Sequence, residues 1–237
     1  MAEYRIGVIG HTGQGNYGHG VDTVWGHIAG CKVAAVADPD PAGLQQAKKR
    51  LDVSQGYSDY RQMLANEQLD IVSICPRWID RHHDMVLACA QRKLHIYMEK
   101  PFCRDLQEAD AMVKACESND IKLAIAHQTR YSPKLTVIKN LIEDGGIGTV
   151  LELRGRGKED RRGGGEDLWV LGSHVFNLMQ YFGGDSQWCM AQATQQGERI
   201  TKEHVGQGKE GIGPLAADSI AAMYGMQDNI MGYFATA

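Results

Sequence analysis

The sequence is short of everything that would mark a membrane, secreted or nucleic-acid-binding chain. No apolar run reaches the ~18 residues a membrane span needs. The opening MAEYRIGVIG lacks the basic start, apolar stretch and small-residue cleavage site of an export signal. Net charge is only -4 and the pI about 6.1, so no basic footprint for nucleic acid or an anionic membrane is present. None of the six cysteines stands in C-x-x-C spacing, which argues against a zinc clamp or a dithiol redox motif. Scattered thiols, with Cys75 and Cys89 in apolar surroundings, fit a reduced, cytoplasmic compartment. Internal repeats and low-complexity tracts are also missing. What remains is a chain of 237 residues, 43% hydrophobic, long enough for one large or two modest domains with a core.

The first half alternates strands and helices. YRIGVIG, KVAAVAD, LDIVSICP, LHIYME and IKLAIAH read as five strands. Between them lie helices over 18–29, over PAGLQQAKKRL with proline in its first turn, over DRHHDMVLACAQRK, and over RDLQEADAMVKACES with Asp105 as N-cap. Short joins and doubly apolar strands indicate a doubly wound parallel sheet, a Rossmann domain spanning 1–126. From 127 to 237 the texture is α+β. The helices PKLTVIKNLIEDGGIG and LWVLGSHVFNLMQYFGG are followed by the β-like segments QWCMAQATQQG, DSIAAMYGM and NIMGYFATA. These look like antiparallel strands. The last segment still reads as a strand, with no finishing helix or polar tail, which suggests that this second domain is truncated.

The segment RIGVIGHTGQGNYGHG holds six glycines directly behind the first strand. Bare backbone there lets main-chain amides approach a pyrophosphate. Gly13-Gln14-Gly15-Asn16-Tyr17-Gly18 matches G-x-G-x-x-G but starts three residues beyond Gly10. Counting from Gly10 puts Thr12 where the second glycine belongs. The loop is therefore longer than usual, with Gly10, Gly13 and Gly15 sharing the turn and Asn16 beside them. Asp38 ends the second strand twenty residues after Gly18. Its carboxylate would accept from the adenosine ribose hydroxyls and repel a 2′-phosphate, favouring NAD over NADP, or would cap the helix at PDPAG. A lone glycine motif is weak evidence; the strand before it, the helix predicted after it and the acid beyond strengthen it.

MEKPF after a strand, HQTRYSP, and GGGEDLWVLGSHVFNLMQYFGG follow the glycine loop in that order. Together they resemble the glucose–fructose oxidoreductase, inositol dehydrogenase and MocA family, from residue 4 to about residue 184. The resemblance implies an NAD(P)-binding Rossmann domain and a second, substrate-binding domain built on an open, mainly antiparallel sheet. It implies a hydride moved between nicotinamide and a secondary alcohol of a sugar, polyol or sugar acid, and homo-oligomers. Lys100 matches the family's E-K-P lysine, which would relay the proton of the reacting hydroxyl, with a pKa lowered beside a cationic nicotinamide. His174 matches the family's proton-accepting histidine, against the plainer role of packing with Leu171, Val175 and Leu178.

Pro76, Trp78, His82 and Glu99 would flank the cofactor, and Arg130 and Tyr131 the substrate. Val170 and Asn177 depart from the pattern, standing where the family often has aspartates. Asp167, sharing a helical face with Val170, or Glu166 would replace the missing carboxylate, or both would simply begin the helix. The incomplete acid set keeps two other readings open. One is a sugar lyase or hydrolase that recycles tightly held NAD; the other is a non-catalytic NAD-binding sensor. No metal is expected: the adjacent His82 and His83 diverge by about a hundred degrees on a helix.

Overall fold

In strands β1 (Tyr4–Ile9), β2 (Cys31–Ala37) and β4 (Ile71–Ile74), alternate residues leave the sheet on opposite sides. Ile9, Ala37 and Ile74 join one apolar cluster with Met63, Met85, Val86, Cys89 and Met112. Val8 and Val36 join the other with Val21, Ala47, Leu44 and Leu51. Both faces are thus covered, which is why these strands read as continuous apolar runs. The computed structural model describes residues 3–237. It divides into two compact units between Ala126 and His127.

The first unit is a six-stranded parallel sheet in the order β3-β2-β1-β4-β5-β6. Here β3 is Gln55–Tyr57, β5 is His95–Met98 and β6 is Leu123–Ile125. Helices α1 (Pro41–Arg50), α2 (Tyr60–Asn66), α3 (His82–Gln91) and α4 (Leu106–Ser118) connect strands. Asp40 caps α1 by accepting from the Gly43 amide at 2.6 Å, and Asp105 caps α4 from the Glu108 amide at 2.8 Å. Five of these strands are expected from the sequence. The sixth, β3, is a three-residue edge strand, too short to show a period.

The helix expected over 18–29 does not form. Gly18 and Gly20 take φ of 65° and 83°, outside the helical well, and only a single 3₁₀ turn, Val24–His27, follows. Tertiary bonds replace the helical ones. Ser73 Oγ donates to the Val21 carbonyl at 3.0 Å and accepts from Trp25 Nε1 at 2.6 Å. Arg50 pairs with the buried Asp22 carboxylate at 2.7 Å.

The second unit carries α5 (Pro133–Glu143) and a mixed five-stranded sheet in the order β7-β13-β12-β8-β9. The long strands are β7 (Glu152–Arg156), β8 (Trp188–Gln195), β12 (Ser219–Gly225) and β13 (Met231–Thr236). β9 is Glu198–Arg199, and β10 (Gly206–Gln207) and β11 (Pro214–Leu215) form a separate pair. Only β7 and β13 run parallel. A three-residue helix, α6 (Gly165–Asp167), passes through a π-helical turn, Leu168–Gly172, into α7 (Ser173–Gly183). Phe234, Met179, Val175, Phe176 and Tyr224 form the core between α7 and one sheet face.

Ser73 is fully buried and serves two partners. Ser73→Ala leaves the indole N–H and a carbonyl without a partner, and is expected to cost about 1–3 kcal/mol, measured by urea unfolding.

Candidate functional site

The loop after β1 folds on itself. His11 and Asn16 form an isolated antiparallel bridge, with the His11 amide 3.1 Å from the Asn16 carbonyl and the Asn16 amide 2.9 Å from the His11 carbonyl. The Gly13 amide donates to Asn16 Oδ1 at 3.0 Å, and the Gln14 amide to the His11 carbonyl at 3.0 Å. Gly13 and Gly15 have φ of 84° and 89°. A Cβ on Gly15 would collide with the Arg77 and Trp78 main chain, and the Gly15 carbonyl accepts from the Arg77 amide at 3.3 Å. The sheet order reverses between β1 and β4. The loop after β1 and the Pro76–Trp78 segment after β4 therefore meet at the switch point, where open α/β sheets bind their ligands. Gly10 lies beneath the Tyr17 ring; burial, with Asp38 nearby, pushes the Tyr17 phenol pKa upward.

Asp38 has no exposed surface. Its carboxylate accepts from the Thr12 hydroxyl at 2.7 Å, the Thr12 amide at 3.1 Å and the Asp40 amide at 2.9 Å. The expected ribose acceptor is thus spent on holding the glycine loop, and Asp40 takes the capping role at α1. Beside Asp38, a cleft of about 340 Å³ opens at the ends of β1 and β2, lined by Gly10, His11, Tyr60, Arg61 and Arg81. The Arg61 guanidinium lies 4.6 Å over the Tyr60 ring. Burial, then the charge of Arg81, lowers the His11 pKa. Gly10 is expected here from the sequence; His11, Tyr60, Arg61 and Arg81 are not. Thr12, the partner of Asp38, stands in place of a glycine, which is the one sequence signal for its role.

Glu99 and Lys100 follow β5, are 1% and 6% exposed, and are joined to Pro101 through a cis peptide. Glu99 Oε2 accepts from the Lys100 amide at 2.8 Å. His82 departs from its expected place against the cofactor. It is fully buried, with Nδ1 2.8 Å from the Pro101 carbonyl and Nε2 2.8 Å from the Pro76 carbonyl. Burial pushes its pKa down against the opposing pull of both carbonyls and Glu99. It braces the Pro76 loop against the turn that carries Lys100.

In the second unit, His174 lies in the first turn of α7. Its ring stands edge-on to that of His127, centroids 5.6 Å apart. Asn177, one turn further, has a buried Oδ1 without a partner among the described residues. Arg130 stacks 4.9 Å over Tyr181, whereas Tyr131 is 75% exposed. Asp167 is fully buried. Its Oδ2 accepts from the Lys158 amide at 2.6 Å and the Thr236 hydroxyl at 2.9 Å, which pins the 158–167 loop to β13. The anticipated substitute carboxylate is therefore a loop anchor in this fold. The shared face with Val170 is lost as well, because the π turn adds a residue to that stretch.

The family model for the GFO_IDH_MocA oxidoreductase family, NAD-binding Rossmann fold, matches residues 4–127. A D-apiose dehydrogenase from Rhizobium rhizogenes is 30% identical over 124 residues, 52% of this chain and 36% of that protein. A levoglucosan dehydrogenase from Pseudarthrobacter phenanthrenivorans is 26% identical over 211 residues, 79% of this chain and 53% of that one. The chain thus spans between about a third and a half of these relatives' length. The crystal structure of an Agrobacterium radiobacter oxidoreductase, in complex with NAD+, L-tartaric acid and magnesium, superposes with a TM-score of 0.79. It is 22% identical and shares the fold over all of this chain and 67% of its own. A model match over more than half of the sequence, on a parallel sheet with its glycine loop at the switch point, makes this chain a member of the GFO_IDH_MocA family of NAD-binding oxidoreductases.

Proposed function

We propose that the protein is an NAD(P)-dependent dehydrogenase, preferring NAD, that moves a hydride between nicotinamide and a secondary alcohol of a sugar, polyol or sugar acid. The observation that carries this reading is the meeting, in one unit, of the glycine loop, the Pro76–Trp78 segment and the buried Glu99–Lys100 turn at the ends of neighbouring parallel strands. A dinucleotide fits the residues there. Gly15 lets two main chains approach where any side chain would collide, and the cleft beside Asp38 offers Arg61, Arg81 and Tyr60 to an adenosine moiety. Gly10, Gly13, Gly15, Asn16, Pro76 and Trp78 would hold the diphosphate and nicotinamide portions.

Bound NAD supplies the hydride acceptor. The chain's own residues supply the proton chemistry. Lys100 is the proposed hydrogen-bonding partner of the reacting hydroxyl in the first unit, and His174 is the proposed proton acceptor contributed by the second. Arg130, Tyr131 and Asn177 are the proposed substrate contacts, Asn177 offering its unpartnered carbonyl oxygen to a sugar hydroxyl. The second unit, 127–237, is the proposed substrate-binding domain.

The open face of its sheet presents Met190, 66% exposed, beside Met223 and Tyr233, with Arg154 and Arg156 at the margin. An uncovered apolar sheet face of this kind supports self-association.

Four outcomes test the proposal. A screen of sugars and polyols followed by NADH absorbance should find turnover. Lys100→Met and His174→Ala should each lower kcat by about 10²–10⁴-fold with NADH affinity, read by calorimetry, little changed; unaltered turnover in both would overturn the roles given to these residues, whereas NADH binding with no turnover on any substrate would favour the sensor reading. Asp38→Asn keeps the bonding shape at Thr12 but removes the charge that opposes a 2′-phosphate. It should narrow the NAD/NADP affinity ratio by about tenfold, whereas Asp38→Ala, which frees the loop, should weaken both cofactors. Light scattering should show a dimer or larger assembly that Met190→Glu shifts toward monomer.

A further inference from the structure

The glycine loop and the Lys100 turn are joined through one buried side chain. Glu99 Oε2 accepts from the Lys100 amide at 2.8 Å. Its Oε1 accepts from the His19 amide at 3.0 Å and lies 2.6 Å from His19 Nδ1. A carboxylate at 1% exposure must have its donors supplied by the protein. Here they come from two separate segments, the end of the glycine loop and the E-K-P turn. The His19 side chain is 52% exposed. Burial therefore does not account for its position; the contact with Glu99 does. Gly18, directly before it, has φ of 65°, and a Cβ there would stand 2.5 Å from Glu99 Cγ and 2.8 Å from the Cys75 carbonyl. The main chain is bare at the point where the loop must come close to Glu99. On the other side of the turn, His82 holds the Pro101 carbonyl. Its buried clamp is the fixed side of the turn, and the half-exposed His19 is the adjustable one.

We propose that His19 is a positioning residue: through Glu99 it ties the glycine loop to the main chain of Lys100, so that a dinucleotide seated against the loop is felt at the lysine. The functional weight of the tie rests on the reading of Lys100 given above; the tie itself does not. A shift of the loop moves one Glu99 oxygen, and the rigid carboxylate passes that movement to the amide held by the other. Nothing in the order of the sequence brings residues 19 and 99 together. The sheet does so by placing β1 and β5 on either side of β4.

Hydrogen exchange at the Lys100 amide, on the whole chain, reads the tie directly. His19→Ala should speed exchange there about tenfold, the scale of a lost charge-assisted hydrogen bond. His19→Asn, whose side-chain amide takes the place of Nδ1, should restore slow exchange. His19→Ser, too short to reach Glu99, should behave as the alanine variant. Added NADH should slow exchange at Lys100 in the unmutated and asparagine proteins, and much less in the other two. Unchanged exchange at Lys100 in His19→Ala would overturn the proposal. So would equal loss in the alanine and asparagine variants, or a rise spread over the whole sheet instead of confined to 99–101. NADH that protects no segment of the unmutated protein would count against the dinucleotide reading, while the cofactor-free comparison would still decide the tie.

Discussion

Among the buried carboxylates of the described residues, Asp38, Glu99 and Asp167 each accept hydrogen bonds from main-chain amides of a loop. Asp38 takes Thr12 and Asp40; Glu99 takes His19 and Lys100; Asp167 takes Lys158. An ionised carboxylate inside a protein is costly until hydrogen-bonded, so each loop is drawn to its acid as strongly as the acid needs the loop. The glycine loop is consequently strung between two fixed points, Thr12 on the acid that ends β2 and His19 on the acid that follows β5. Its conformation is a property of the sheet that carries those acids. The glycines permit the path and do not by themselves define it.

This arrangement bears on how a phosphate could be held. A Rossmann turn ordinarily places the ligand at the first turn of a long helix, whose dipole favours negative charge. Here the segment after the loop is a series of turns ending in four 3₁₀ residues, so no helix dipole of any size points at the switch point. Several loop amides, those of His11, Thr12, Gly13, Gln14 and Asn16, already donate within the chain. Any grip on a diphosphate must come from the remaining amides and from nearby side chains, among which the Arg77 guanidinium already leans on the Gly15 carbonyl at 3.4 Å.

The parallel sheet was legible because burial on both faces writes itself into the sequence as apolar runs of a length only strands use, and caps such as Asp105 announced their helices. The edge strand Gln55–Tyr57 was not, since three residues carry no period. The missing helix was misread for a different reason. Val21, Val24, Trp25 and Ile28 do have helical spacing, but Gly18 and Gly20 sit at positive φ, and Ser73, fifty residues away, binds the segment in another form. Around the site, residue types were legible and their partners were not. Asp38 and Asp167 stood where a functional acid would stand. Whether such an acid faces a ligand or an amide of its own chain depends on loop paths that spacing does not encode. The π turn before His174 is a sharper case, since face-counting at 3.6 residues per turn fails as soon as one residue is added.

The charge balance at the β2 end follows from the same economy of buried acids. With its lone pairs given to Thr12 and Asp40, Asp38 acts on the neighbouring cleft through its charge alone. That charge meets Arg61 and Arg81 in the same cleft, and His11, whose pKa is lowered by burial and by Arg81, adds little positive charge at neutral pH. Discrimination between a ribose hydroxyl and a 2′-phosphate would then be a balance of charges, the buried Asp38 and the cleft-lining Asp59 against the half-solvated Arg61 and Arg81, not the making or breaking of a hydrogen bond. Such a difference falls with ionic strength, because the arginines are screened by salt and the buried carboxylate is not. An acid bonded directly to the ribose would discriminate by contact, with little dependence on salt.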